Sequence, residues 1–224
     1  LPTSPICFAN ALRRRLWWWG ALLACAWPAL AAYDAARVLE VAAARNPRLA
    51  EQAQALVLQI ERDSALDELQ RLKDINDFFN RRLEFKEDLV VWGVPDYWAS
   101  PLESLDKRAG DCEDYAIGKY FSLAATGVPT AKLRMVYVRA RLGGQSLAHM
   151  VLAYYAQPGA EPLILDNLRR EVLPASQRPD LTPVFSFNTE GLWQGVGPVT
   201  QGDPLARLSL WRDLVAKVKV EGFF

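Results

Sequence analysis

The chain has 224 residues, 51% of them apolar, with 26 basic and 26 acidic side chains and one histidine. That length suits one domain with a sizeable core, and the composition excludes a disordered chain or a polytopic membrane protein. With zero formal net charge and no dense basic run beyond the first residues, a nucleic-acid partner is excluded as well.

Arg13, Arg14 and Arg15 precede an apolar run from Leu16 to Ala26, and Ala29-Leu30-Ala31-Ala32 follows. These are the three parts of a secretory signal peptide, and the apolar run is too short for a membrane-spanning helix. Residues 1–32 are therefore expected to be a signal peptide cleaved near Ala31 or Ala32. Residues 33–224 are then the exported domain, with no transmembrane span. Leu22-Leu23-Ala24-Cys25 leaves lipidation at Cys25 as the alternative. Loss of this segment removes three arginines and no acid, so the remainder is mildly acidic. It also removes Cys7 and Cys25, leaving Cys112 without an intramolecular disulfide partner. A lone exported thiol is either a small buried hydrophobe or a reactive group.

From Asp34 to about Leu83 the apolar spacing predicts helices, with Pro47 opening the second after Asn46 as N-cap. Leu56, Ile60, Leu66, Leu69, Leu72, Ile75 and Phe79 are expected on the buried face. Glu61, Arg62, Asp63, Glu68, Arg71, Lys73 and Asp74 are expected in water. This helical part, about residues 34–85, precedes a core at about 86–200. Residues 89–110, with Trp92, Tyr97 and Trp98, read as an irregular connection whose aromatics either line a groove or pack over the core edge. A helix is predicted over 111–125, stopped by Gly127-Val128-Pro129. The period then alternates, predicting strands at 133–139, 148–155 and 163–167 in two antiparallel hairpins. Past Glu171 the sequence is rich in Pro, Gly and Asn with scattered Phe and Trp, and a final helix is predicted from Pro204 to Val218.

A nucleophilic thiol needs a base within hydrogen-bond reach and a third group to orient that base. His149 is the only imidazole in the chain, at the opening of an apolar strand, and Asp166 ends the next one. Adjacent antiparallel strands bring such ends together. Taken singly, His149 equally suits a core histidine and Asp166 an Asx turn. Cys112 at a helix N-terminus is favoured as a thiolate by the free N–H groups there. Asp111, Glu113 and Asp114 oppose that charge, so either they cap the helix or a cation neutralises them. A Ca²⁺ site using Asp111 and Glu113 is the preferred reading.

The block Gly110-Asp111-Cys112-Glu113-Asp114-Tyr115-Ala116-Ile117-Gly118-Lys119-Tyr120 carries a resemblance, together with Gly127-Val128-Pro129, residues 133–138, His149-Met150-Val151-Leu152 and Leu165-Asp166-Asn167. It resembles the bacterial transglutaminase-like cysteine proteinases, over roughly residues 34–200. The resemblance implies an α+β, papain-like or transglutaminase-like fold, with N-terminal helices and the nucleophile helix packed on an antiparallel sheet. It also implies a Cys112, His149, Asp166 triad and Ca²⁺ held by Asp111 and Glu113. The implied setting is the periplasm. The implied substrate is a large surface adhesin cut near its N-terminus, with release of the adhesin and biofilm dispersal. The implied partner is the periplasmic domain of an inner-membrane cyclic-di-GMP receptor that sequesters the protease. Acyl transfer to amines and a non-catalytic, calcium-dependent binding module are the alternatives.

Overall fold

Three capped helices open the computed structural model, which describes residues 33–224. The expected signal peptide, with Cys25 as its alternative lipidation site, lies outside the described residues. Helix α1 spans Ala35–Arg45, α2 spans Pro47–Asp63 and α3 spans Glu68–Arg82. Each starts where an Asp34, Asn46 or Asp67 side chain accepts a backbone N–H from its first turn. Leu56, Ile60, Leu72, Ile75 and Phe79 are buried as the spacing predicts. Leu69 is not: it lies in the first turn of α3, borders a surface cleft with Tyr154 and Leu163, and is 54% exposed. Asp63 departs the other way. It is buried, and its carboxylate accepts Gln59 Nε2 at 2.8 and 2.7 Å.

The expected irregular connection contains short elements. Strand β1 (Glu84–Phe85) pairs in parallel with β2 (Ala109–Gly110), and α4 (Asp88–Val91) and α5 (Pro101–Lys107) lie between them. Trp98 stacks on Phe187 at 5.7 Å and meets Trp211 edge-on at 6.4 Å, while Trp92 packs on Tyr97 at 4.4 Å. Both tryptophans are half-buried and take up packing roles.

Helix α6 spans Cys112–Ala125 and is buried along most of its length. It lies against a seven-stranded antiparallel sheet of β3 (Leu133–Leu142), β4 (Gln145–Tyr154), β5 (Leu163–Leu165), β6 (Leu173–Pro174), β7 (Leu181–Phe187), β8 (Leu192–Gln194) and β9 (Thr200–Gly202). The spatial order is β6-β5-β4-β3-β7-β8-β9. The Pro-, Gly- and Asn-rich sequence past Glu171 thus builds four strands that its composition did not mark. Pro183 is tolerated in β7 because it falls at a register shift against β3 and outside the stretch paired with β8. The predicted C-terminal helix is two helices, α7 (Pro204–Arg207) and α8 (Ser209–Glu221), broken where Leu208 turns extended. Gly222 ends α8 at φ 96°, and its carbonyl accepts the N–H of Asp34, tying the two ends of the described chain together.

Met135, Met150, Leu152 and Phe187 pack beneath α6 and α8, while Val136, Val138, Val151, Ala153 and Ile164 form a smaller cluster on the other face of the sheet. Lys119 of α6 is an exception inside this core. Fully buried, its Nζ has no protein partner among the described residues and lies 5.6 Å from the Tyr115 ring. Burial lowers its pKa to about 7, against the opposing pull of Asp166 and Asp77. A base depressed in the folded state costs stability as pH falls from its unfolded value of about 10.4 towards 7. Lys119→Met is therefore expected to raise the melting temperature at pH near 7, and to raise it less at pH near 10. Equal shifts at the two pH values would show that Lys119 is not held neutral.

Candidate active site

Cys112 is the first residue of α6, and Asp111 precedes it in extended conformation without a side-chain capping bond. Gly110 lets this start sit close to the chain, since a Cβ there would lie 2.6 Å from Asp114. The half-buried Cys112 donates its thiol hydrogen to Glu113 Oε2, at 3.0 Å, and the backbone N–H of Met150 in β4 is near enough to its Sγ to favour the thiolate. Burial, then the Glu113 charge and hydrogen bond, then Asp111 push the thiol well above its ordinary pKa. The acidic surroundings therefore favour the protonated thiol.

His149 directly precedes Met150 and is 3% exposed. Its Nε2 lies 2.8 Å from Asp166 Oδ1. Asp166 immediately follows β5, and the same Oδ1 accepts the N–H of Leu168 at 3.1 Å. It is thus an Asx-type turn residue and the partner of the imidazole at once. Burial works against its ionisation, but the His149 bond and charge, the Leu168 N–H and Arg178 outweigh it and hold the carboxyl at about 2. An ionised carboxylate only accepts, so Nε2 carries a hydrogen and Nδ1 is the nitrogen free to exchange a proton with the thiol. The structure brings His149 and Asp166 together and sets Cys112 against the residue beside His149. The thiol itself is bonded to Glu113 rather than to the imidazole.

Sequence reasoning did not reach Arg178. Its Nη2 donates to Asp166 Oδ2 at 2.6 Å and to Asp180 Oδ2 at 2.8 Å, its Nε donates to Asp180 Oδ1 at 3.0 Å, and it is 2% exposed. Nothing local marks this arginine in Gln177-Arg178-Pro179-Asp180.

A second cluster lies behind the thiol. The carboxylates of Asp88, Asp111 and Asp114, and of Asp88, Asp96 and Glu113, form groups whose facing oxygens lie within 4.8 Å of one another, and Asp111 and Glu113 form a third with Cys112. Asp88 Oδ1, Asp111 Oδ1 and Asp114 Oδ2 are buried without a hydrogen-bond partner. The remaining oxygens of Asp88 and Asp114 accept the backbone N–H groups of Tyr97 and Ala99. Burial and mutual repulsion raise the Asp88 pKa to about 6, that of Asp111 to about 10 and that of Asp114 well above the carboxylate range. No salt bridge neutralises any of the five acids among the described residues. Orphaned buried carboxylate oxygens at this spacing fit a hard divalent cation, which takes oxygen ligands. The expected pair Asp111 and Glu113 is in this set, while Asp88 and Asp96 come from the connection between β1 and α5 and were not anticipated.

The family model described as bacterial transglutaminase-like cysteine proteinase, BTLCP, matches residues 48–182. Among curated proteins no significant match is found. Among solved structures, EGTA-treated Legionella pneumophila LapG is 37% identical with a TM-score of 0.74, covering 83% of this chain and 98% of that one. Calcium-bound Legionella pneumophila LapG is 37% identical with a TM-score of 0.71, covering 83% and 99%. With a family match over more than half its length, these structural likenesses and the expected α+β architecture, the chain belongs to the bacterial transglutaminase-like cysteine proteinases.

Proposed function

We propose that the protein is a calcium-dependent cysteine endopeptidase with Cys112 as nucleophile, His149 as base and Asp166 as the group that orients the imidazole. The observation that carries this reading is the buried His149 to Asp166 bond, on the strand whose next residue, Met150, lies near the Cys112 sulfur. In the reaction, Sγ attacks a peptide carbonyl carbon and the thiol proton passes to His149 Nδ1. The C–N bond then breaks as Nδ1 protonates the leaving amine; water, giving a proton to Nδ1, next attacks the thioester, the C–S bond breaks to release the carboxylic acid, and Nδ1 returns the proton to sulfur. The backbone N–H of Cys112, at the start of α6, supplies part of the oxyanion stabilisation.

Calcium would be held by Asp111 and Glu113 together with Asp88, Asp114 and Asp96, and would supply positive charge to offset these carboxylates beside the thiol. The calcium-bound state of the Legionella pneumophila LapG structure supports this assignment. The finer reading rests on the family resemblance of the Asp-Cys-Glu-Asp-Tyr block and its spacings: a periplasmic enzyme that cuts a large surface adhesin near its N-terminus. Release of the adhesin would disperse a biofilm, and the periplasmic domain of a cyclic-di-GMP receptor would sequester the enzyme.

Incubation with the N-terminal region of a large adhesin from the same cell tests the reading by mass spectrometry. A single calcium-dependent cut, lost in Cys112→Ala, is the expected result. Full cutting by Cys112→Ala would remove the nucleophile, and incorporation of a labelled amine in place of hydrolysis would reassign the activity to acyl transfer.

A further inference from the structure

Strand β4 is paired with β3 along its whole length, Gln145–Tyr154, but with β5 only at Leu152–Tyr154. The two-residue turn Gly143-Gly144, with φ of 57° and 82°, makes Leu142 and Gln145 a pair that exchanges both hydrogen bonds. Alternation then commits the backbone groups of Gln145, Leu147, His149 and Val151 to β3. Those of Ser146, Ala148 and Met150 turn to the opposite edge. The N–H of Met150 lies on that edge, on the side of the Cys112 sulfur whose thiolate it favours. Ser146 and Ala148 are exposed, and their outward N–H and C=O groups have no backbone partner among the described residues.

An open edge normally carries a block, because unpaired strand groups recruit other strands. The outer strand β6 ends in Pro174, and the pairing of β8 with the outer strand β9 contains a register shift. From Gln145 to Met150 the open edge holds no proline, no lysine and no acidic residue. It runs straight to the thiol, with Ala148 two residues, or about 7 Å, from Met150.

We infer that the substrate is bound as an extended strand added to this edge, through main-chain hydrogen bonds to Ala148 and Ser146, which carry its scissile bond past Cys112. The inference rests on the endopeptidase reading and deepens it. The segment cut is a linker or other stretch free to leave its own secondary structure, because a helix has no free groups at strand spacing. Side chains of the added strand alternate in direction. Those on the α6 side meet Ala148 and the half-buried Tyr137, which faces Met150 across the ladder.

The test is Ser146→Pro, and separately Ala148→Pro, because each deletes an outward N–H without touching the β3 ladder. With the adhesin N-terminal region as probe, each is expected to lower kcat/KM roughly tenfold or more, chiefly through KM, at an unchanged melting temperature. In Cys112→Ala mixed with the same fragment, amide exchange at Ser146 and Ala148 is expected to slow. Wild-type kcat/KM in both folded proline variants would overturn the inference, and so would unchanged exchange at these amides while the wild type cuts. A wild type that cuts nothing would fail the endopeptidase reading instead, and slowed exchange would then still place the fragment on this edge. Should the proline variants fail to fold, the exchange measurement decides alone.

Discussion

Stripped of divalent cations with EGTA, the protein is expected to lose its peptidase activity and to melt at a temperature that falls as pH rises from about 5 to about 8. Burial, with Glu113 and the neighbouring acids, raises Asp88 to about 6, Asp111 to about 10 and Asp114 well above the ordinary range. In the unfolded chain all three ionise near 4. Below that value both states hold the protons and nothing is lost. As pH rises, the unfolded state releases protons that the folded state keeps, and stability falls by up to about 1.4 kcal/mol per pH unit for each such acid. The window closes near 6 for Asp88 and extends beyond neutrality for Asp111 and Asp114. Calcium binds the ionised carboxylates of the folded state, so millimolar Ca²⁺ is expected to flatten or reverse the slope. Activity is expected to fall on chelation because no cation would then offset the carboxylates beside the Cys112 thiol, among them Glu113, which accepts the thiol hydrogen at 3.0 Å. Asp88→Asn gives a signature of opposite signs: a higher melting temperature in EGTA at neutral pH, and a smaller gain from calcium. Parallel melting curves with and without calcium across this pH range would remove the cation from the acidic cluster.

The parts of the site visible in the sequence are those whose chemistry is local. Cys112 stands among three acids at a helix start, and His149 and Asp166 sit on consecutive strands, so spacing alone places them near one another. Asp88 and Asp96 were invisible because the parallel pairing of Glu84–Phe85 with Ala109–Gly110 brings their loop to the head of α6, and two-residue strands leave no periodic trace. Arg178 was invisible for a similar reason: it reaches Asp166, at the end of β5, from the short connection between β6 and β7. The fold was legible where one face is buried, as in α2, α3, β3 and β4. It was not legible in β7, where Leu181-Thr182-Pro183-Val184 is largely exposed and only the Ser186-Phe187 end enters the core. Leu69 and Asp63 show the limit of periodicity: spacing gives the direction of a side chain, and the packing partner decides whether anything covers it.

Arg178→Met is expected to lower kcat about a hundredfold while leaving KM for the adhesin fragment near the wild-type value. Asp166 gives one oxygen to His149 and the other to Arg178, so the guanidinium sets the plane of the carboxylate and thereby the ring. Methionine keeps much of the buried volume but leaves Asp166 with only His149 and the Leu168 N–H as partners, and Asp180 without the guanidinium. The carboxyl, now held at about 2, then titrates higher. Because a depressed acid loses its contribution as pH falls through its folded pKa, the acid limb of kcat/KM is expected to move to higher pH in the variant. A purely structural role would lower the melting temperature without moving that limb. Asp166→Asn is expected to cost more, roughly 10⁴-fold in kcat, because the amide no longer fixes the tautomer with hydrogen on Nε2. Adding Arg178→Met to Asp166→Asn should cost little further, since the arginine acts through that carboxylate. A double variant slower than Asp166→Asn by the full Arg178→Met factor would show that Arg178 works by another route.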